Sequence, residues 1–187
     1  EGSPESLARA GFLYDSTLGF NESAGFRCGT TQVFKLNGTE ELYELPLHIM
    51  DTALFTRDRM ALSEQKALQI CRKMFKTFRI FGGVLTINWH TRSLNPERNW
   101  DDFYVELLSL LKSEKVWFST ARQAVNWFRK RRAARIEDVE IANDKTVRVK
   151  ISTNDIDKDS YPLRIRLYQP NAQRKNATAE MFYRDIP

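Results

Sequence analysis

The hydrophobic period changes once along this chain, near Arg135, and that change limits the architectures open to it. Before it, long segments with apolar residues at three- and four-residue spacing alternate with short apolar runs, the pattern of an α/β fold with at least partly parallel strands. After it the period is two. Val147, Val149 and Ile151 face one way and Arg148 and Lys150 the other; Leu163, Ile165 and Leu167 likewise oppose Arg164 and Arg166. That alternation predicts a small antiparallel sheet with one solvated face. The expected organisation is an α/β domain over 1–135 and a β appendix over 136–187. About fifty residues bury little surface, so the appendix is expected to pack against the rest.

Local signals place the elements. Ser3, Pro4 and Gly11 outline a helix over 4–10. Strands are expected at 12–14, 31–36 and 42–50, with Asn37-Gly38 as a hairpin turn and Pro46 marking an edge, bulge or bend; 15–25 reads as loop. Ser63 caps and Gly82 ends a helix whose inner face carries Leu68, Cys71, Met74, Phe75, Phe78 and Phe81. A strand over 83–90 leads to a helix over 100–112 facing inward with Trp100, Phe103, Tyr104, Leu107, Leu108 and Leu111. A strand at 116–118 and a helix capped by Thr120 and running to 134 complete the α/β part. Strands at 136–141, 146–151, 163–168 and 179–183 follow.

Of the 187 residues 42% are hydrophobic and 28% charged, as in soluble globular proteins, and no apolar run nears the ~20 residues needed to span a bilayer. Cys28 and Cys71 make neither a Cys-x-x-Cys pair nor a disulfide framework, which favours a cytoplasmic setting. The chain opens Glu1-Gly2-Ser3-Pro4 without an initiator Met, which leaves export open. Net charge is +5, concentrated in Arg129-Lys130-Arg131-Arg132 and Arg135. Such a cluster can bind nucleic acid or anionic lipid, with steep salt dependence. It falls at a predicted helix end, where cations offset the macrodipole, so a solvated helix end is expected and nucleic acid is not.

Two histidines are present. His90 closes the predicted strand 83–90, on one face with Val84, Thr86 and Asn88, immediately before the loop 91–99. In parallel α/β folds active sites lie at that end of the strands. His48 reads as structural. There is no His-x-x-x-His or His-Glu-x-x-His spacing, no Gly-rich phosphate loop and no nucleophile elbow.

Three segments then stand in order: Gly11-Phe12-Leu13-Tyr14-Asp15-Ser16-Thr17-Leu18-Gly19-Phe20 with Gly25-Phe26-Arg27-Cys28-Gly29-Thr30; Tyr43-Glu44-Leu45-Pro46-Leu47-His48-Ile49-Met50-Asp51-Thr52-Ala53-Leu54-Phe55; and Leu85-Thr86-Ile87-Asn88-Trp89-His90. Together they resemble the later motifs of the polysaccharide deacetylase family, bacterial members in particular, over roughly residues 5–130. Trp117-Phe118-Ser119-Thr120 is similar to the end of such a domain. The resemblance implies a partial, distorted (β/α) barrel. It implies a hydrolase that removes N- or O-acetyl groups from the sugars of a polysaccharide or envelope glycan. Its divalent metal, commonly zinc, is held by one Asp and two His; a second Asp is the general base and a late His the general acid.

Carried over, His90 falls on the general acid and Arg27 on the arginine that steadies the base carboxylate. Asp51 falls on the acidic residue that tunes the acid histidine, although Leu54-Phe55 replaces the usual Asp-Trp pair. Phe55 and Trp89 are candidates either for walls against the acetyl methyl or sugar face or for aromatic core packing. Cys28-Gly29 stands where many members carry prolines. The metal and base motifs of the family precede the Tyr14 segment, and only thirteen residues do so here. The expectation is a chain that ligates no metal alone and is inactive alone, either completed by a separate N-terminal segment of the same domain or cut from a longer enzyme. The alternative is a non-catalytic carbohydrate-binding or scaffold protein derived from the same fold.

Overall fold

A computed structural model describes residues 3–143, 146–153, 161–169 and 182–186. The chain parts into two compact units, Glu1–Phe128 and Arg129–Pro187.

The first unit opens with α1 (Ser3–Arg9), followed by β1 (Tyr14–Asp15), β2 (Phe34–Lys35) and β3 (Tyr43–Glu44). β3 is central: it pairs parallel with β1, Asp15 opposite Glu44, and antiparallel with β2, Lys35 opposite Tyr43. The expected turn at Asn37-Gly38 is present, with Thr39 N–H donating to the Leu36 carbonyl, and the connection it belongs to is closed by Leu36 N–H donating to the Leu42 carbonyl. The expected strand over 42–50 is broken in two. Pro46 has no N–H to give a ladder, and beyond it β4 (Ile49–Met50) joins a different sheet.

From β4 the chain enters α2 (Asp51–Phe55) and then α3 (Glu64–Phe81). Ser63 caps α3 by accepting the Lys66 N–H, and Gly82, at φ 67°, ends it in a conformation that costs glycine little. Cys71, Met74 and Phe75 are buried as the spacing predicts, and burial pushes the Cys71 thiol up to about 12, so it is an inert core atom. Phe81 departs from that face: it is exposed, because the last turn of α3 runs past the core.

The strand expected over 83–90 is confined to β5 (Ile87–Asn88), parallel to β4 with Ile49 opposite Ile87 and Met50 opposite Asn88. Gly83 holds the entry to it. At φ 117° a Cβ there would sit 2.2 Å from the Thr31 carbonyl oxygen, and that close approach lets Val84 N–H donate to the same oxygen at 2.8 Å. After a 3₁₀ turn (Thr91–Leu94), α4 (Asp101–Ser113) buries Phe103, Leu107 and Leu111 against Ile49, Leu54 and the inner face of α3. Val116 to Phe118 form no strand and lie exposed. α5 (Ala121–Ala133) starts from a reciprocal cap. Thr120 Oγ1 accepts the Gln123 N–H while Gln123 Oε1 accepts the Thr120 N–H. Its Ala124, Val125 and Phe128 close a second core with Val33, Tyr43 and Leu45. Lys130, Arg131 and Arg132 occupy its last turn, as the sequence places them.

Among the described residues of the second unit, the single small sheet expected from the alternation is two two-stranded antiparallel pairs. β6 (Arg135–Asn143) pairs antiparallel with β7 (Thr146–Ser152), and β8 (Ile165–Gln169) with β9 (Phe182–Ile186). The register of the first matches residue type across the strands: Val139 faces Val149 and Ile141 faces Val147, while Asp138 faces Lys150 and Glu140 faces Arg148. Of the last expected strand, 179–181 lies outside the described residues. The fold is mixed α/β, with no closed barrel among the described residues.

Candidate functional site

β4 and β5 run parallel and end together, and each delivers one titratable side chain at its C-terminal end. Asp51 follows β4 directly. His90 lies two residues beyond β5, at the entry to the 3₁₀ turn. Helix and turn lead away on this edge, and functional groups collect there in parallel sheets.

Their geometry is tight. His90 Nδ1 lies 2.6 Å from Asp51 Oδ1, and His90 N–H donates to Asp51 Oδ2 at 2.7 Å. Thr52 N–H donates to Oδ1 at 2.6 Å, and the Arg59 guanidinium in turn donates to the Thr52 hydroxyl. Asp51 is wholly buried, whereas the His90 side chain keeps about a third of its surface open. Burial alone would raise the Asp51 carboxyl. The Ser93 hydroxyl close by and the hydrogen bonds from the His90 main chain and ring and from Thr52 N–H outweigh it and hold the group below its ordinary value. An ionised carboxylate only accepts, so Nδ1 carries the proton and Nε2 is left as the reactive nitrogen. Nε2 has no partner among the described residues.

Arg27 is not brought to this pair. Its guanidinium donates to the Gly19 carbonyl at 2.8 Å, in the loop that follows β1. Phe55 and Trp89 do meet, with ring centroids 6.2 Å apart, and both join an aromatic cluster. Trp89 stacks on Tyr104 (4.9 Å), and Phe55 meets Phe103 edge-on (5.0 Å) and Trp100 at 5.2 Å. Each is half-buried and packs on the main core.

His48 occupies a contrasting niche. It is buried between Phe26 and Phe78, whose ring centroids are 5.4 and 5.1 Å away. Its Nδ1 accepts the Thr86 N–H at 3.3 Å and its Nε2 approaches the Thr30 carbonyl at 3.5 Å. Burial pushes its pKa down to about 4, so it is a neutral structural imidazole near pH 7.

No protein-family model matches the chain, and neither does any curated protein or solved structure. The site therefore stands on its own geometry. A divalent metal, implied by the resemblance, has no fitting donor set here: among the described residues no group of three His, Cys, Asp or Glu side chains is placed to hold one. Among the described residues no helix is long and apolar enough to cross a membrane.

Two residues of this neighbourhood carried no sequence signal. Ser93 is fully buried and its hydroxyl has no hydrogen-bond partner among the described residues, although a serine in a polar loop reads as solvated. Glu44 is also fully buried: one carboxylate oxygen accepts the Leu18 N–H and the other has no hydrogen-bond partner. Burial raises its pKa, against the Leu18 bond and with help from the Asp15 charge. A strand carboxylate flanked by Tyr43 and Leu45 looks like the polar face of an edge, and only the three-dimensional pairing with β1 shows otherwise.

Proposed function

We propose that this chain supplies the general acid of a hydrolase that removes acetyl groups from N- or O-acetylated sugars, with His90 as the acid and Asp51 as its orienting carboxylate. The observation that carries the proposal is the 2.6 Å contact between His90 Nδ1 and a fully buried, ionised Asp51 at the shared C-terminal edge of β4 and β5. Loss of an acetyl group leaves an amine or alkoxide that must gain a proton as the bond to the acyl carbon breaks. An imidazolium anchored through Nδ1 presents Nε2–H to that leaving atom. Afterwards Nε2 is an acceptor and Asp51 keeps the ring from turning over. Phe55 and Trp89, in the helix after Asp51 and directly before His90, supply apolar surface for an acetyl methyl or a sugar face. On this proposal the parallel pairs β1–β3 and β4–β5 are staves of an incomplete (β/α) barrel. Arg27 has no part in the dyad.

The test is acetate release from N- and O-acetylated oligosaccharides by the natural polypeptide that carries this chain. His90→Ala is expected to lower turnover by about 10²- to 10⁴-fold, and Asp51→Asn to lower it while substrate binding persists. Acetate release that survives His90→Ala unchanged overturns the proposal. Oligosaccharide binding without turnover in the unaltered protein favours instead a carbohydrate-binding module.

A further inference from the structure

The β6–β7 pair has two unlike faces, and the apolar one lies open. Opposed residues of an antiparallel pair point the same way, so Ile136–Ile151, Val139–Val149 and Ile141–Val147 form one aliphatic face. A bulge at Glu137 keeps Ile136 on it; without that extra residue the alternation would turn Ile136 to the other side. The other face is polar, with Asp138 opposite Lys150 and Glu140 opposite Arg148, and Lys150 also pairs with Glu137 at 3.3 Å. Five of the six aliphatic residues are exposed, Ile141 by 75% and Ile136 by 65%, and Val149 is half-buried. A two-stranded pair is marginal in water unless such a face is covered. The net charge of the chain lies in the same unit. Arg129–Pro187 has 14 Lys and Arg against 9 Asp and Glu, a net of +5, whereas Glu1–Phe128 has 15 of each. The excess gathers just before β6: Lys130, Arg131 and Arg132 end α5, and Arg135 directly precedes Ile136.

We propose that the second unit docks on an anionic lipid surface, the aliphatic face of β6–β7 entering the boundary between headgroups and acyl chains and the basic run 129–135 meeting the headgroup phosphates. Charge complementarity selects this occupant. An anionic bilayer favours both features of the unit at once. Apolar area sinks into the interface, and Lys and Arg beside it are drawn to the negative surface potential. Nucleic acid matches the charge alone: bases stack on aromatic or guanidinium planes, and aliphatic β-branched side chains offer none. A second copy matches the face alone, and its +5 unit would set like charge against like. The unit lies on the membrane and does not cross it. Among the described residues β6 and β7 pair only with each other, and hydrocarbon would leave their outer edges unsatisfied. Neither Asp51 nor His90 takes part, so this docking stands or falls apart from the acid–base role given to them.

The experiment is flotation of the 187-residue chain with vesicles of phosphatidylcholine alone or with about one third phosphatidylserine, at low and at physiological salt. Binding is expected to the anionic vesicles only, and weaker at the higher salt. Val139→Thr with Ile141→Thr keeps β-branching and removes apolar area; Arg131→Gln with Arg132→Gln removes charge. Each pair is expected to lower the partition coefficient about tenfold. Should the threonine variant not fold, the unaltered chain has its own readout. In bicelles carrying spin-labelled lipid, the methyl signals of Val139, Ile141 and Val147 should broaden, and those of Leu107, buried in the first unit, should not. Absence of binding to anionic vesicles overturns the proposal. So does binding that the threonine variant leaves unchanged, which marks attraction by charge alone. Methyl signals that stay sharp mark a face covered by protein and overturn it too. Binding to single-stranded RNA but not to the vesicles assigns the basic run to nucleic acid instead.

Discussion

The two histidines lie on the same strand pair and have opposite environments. His48 precedes β4 by one residue, His90 follows β5 by two, and Thr86 at the head of β5 donates to the first. At the N-terminal end of the pair the imidazole is walled by Phe26 and Phe78 and bonded only to main chain. At the C-terminal end it is about a third open and bonded to a buried carboxylate. The difference teaches where a polar group in this fold is structural. Both nitrogens of His48 are used to join three chain segments, so no reactive atom remains. One nitrogen of His90 is used to fix the ring, and the other is left over.

The largest expected effect is on turnover. His90→Gln should lower acetate release by about 10²- to 10⁴-fold, whereas His48→Gln, assayed where it is folded, should leave turnover within a few-fold and lower Tm. Equal losses of turnover would erase the distinction.

Next in size is the pH dependence of stability. His48 has a folded pKa of about 4 against 6.5 for the free group, so between these values the unfolded chain binds the proton more readily. Its contribution is intact above pH 6.5 and is lost as pH falls toward 4, by roughly 3 kcal/mol. Asp51, held below its ordinary 3.8, contributes stability that is present above that value and lost only as pH falls through its lower folded pKa. Denaturant melts at pH 7, 5.5 and 4 should show the loss in the unaltered protein and flatten in His48→Gln. A flat profile in the unaltered protein would show that His48 is not buried neutral.

A third effect probes the frame that separates the two ends. Gly83→Ala places a methyl against the Thr31 carbonyl at positive φ and should cost about 1–3 kcal/mol, read as a lowered denaturation midpoint. The smallest is Thr120→Ala at the start of α5, about 1 kcal/mol. It lies far along the chain from either histidine and should leave both imidazole titrations unmoved.

Much of this frame is legible in the sequence where the signals are local. Ser63, Gly82 and the three- and four-residue spacing between them delimit α3 because capping and helical periodicity act within a few residues. The strands were legible in place but not in length. Each of β1 to β5 is two residues long, since Pro46, Gly83 and the loops between them leave few consecutive ladder bonds. Val116 to Phe118 read as a strand from composition alone, yet strand pairing needs a partner, and none is there among the described residues. Of the site, His90 is legible because a strand end followed by a polar loop marks an edge. Asp51 enters through a resemblance of motifs. Ser93 is not legible, because the burial of a loop serine depends on the turn that folds it back under His90.

Which nitrogen of each ring holds its proton decides whether His90 is an anchored acid, and the chain has two histidines to assign. Long-range nitrogen–proton NMR of the imidazoles at neutral pH should show opposite tautomers. His48 should carry its proton on Nε2, because Nδ1 receives the Thr86 N–H; neutral His90 should carry it on Nδ1, facing Asp51. A His90 ring found in the Nε2–H form, or turning freely between the two, would contradict the anchored acid on which the proposed hydrolysis depends.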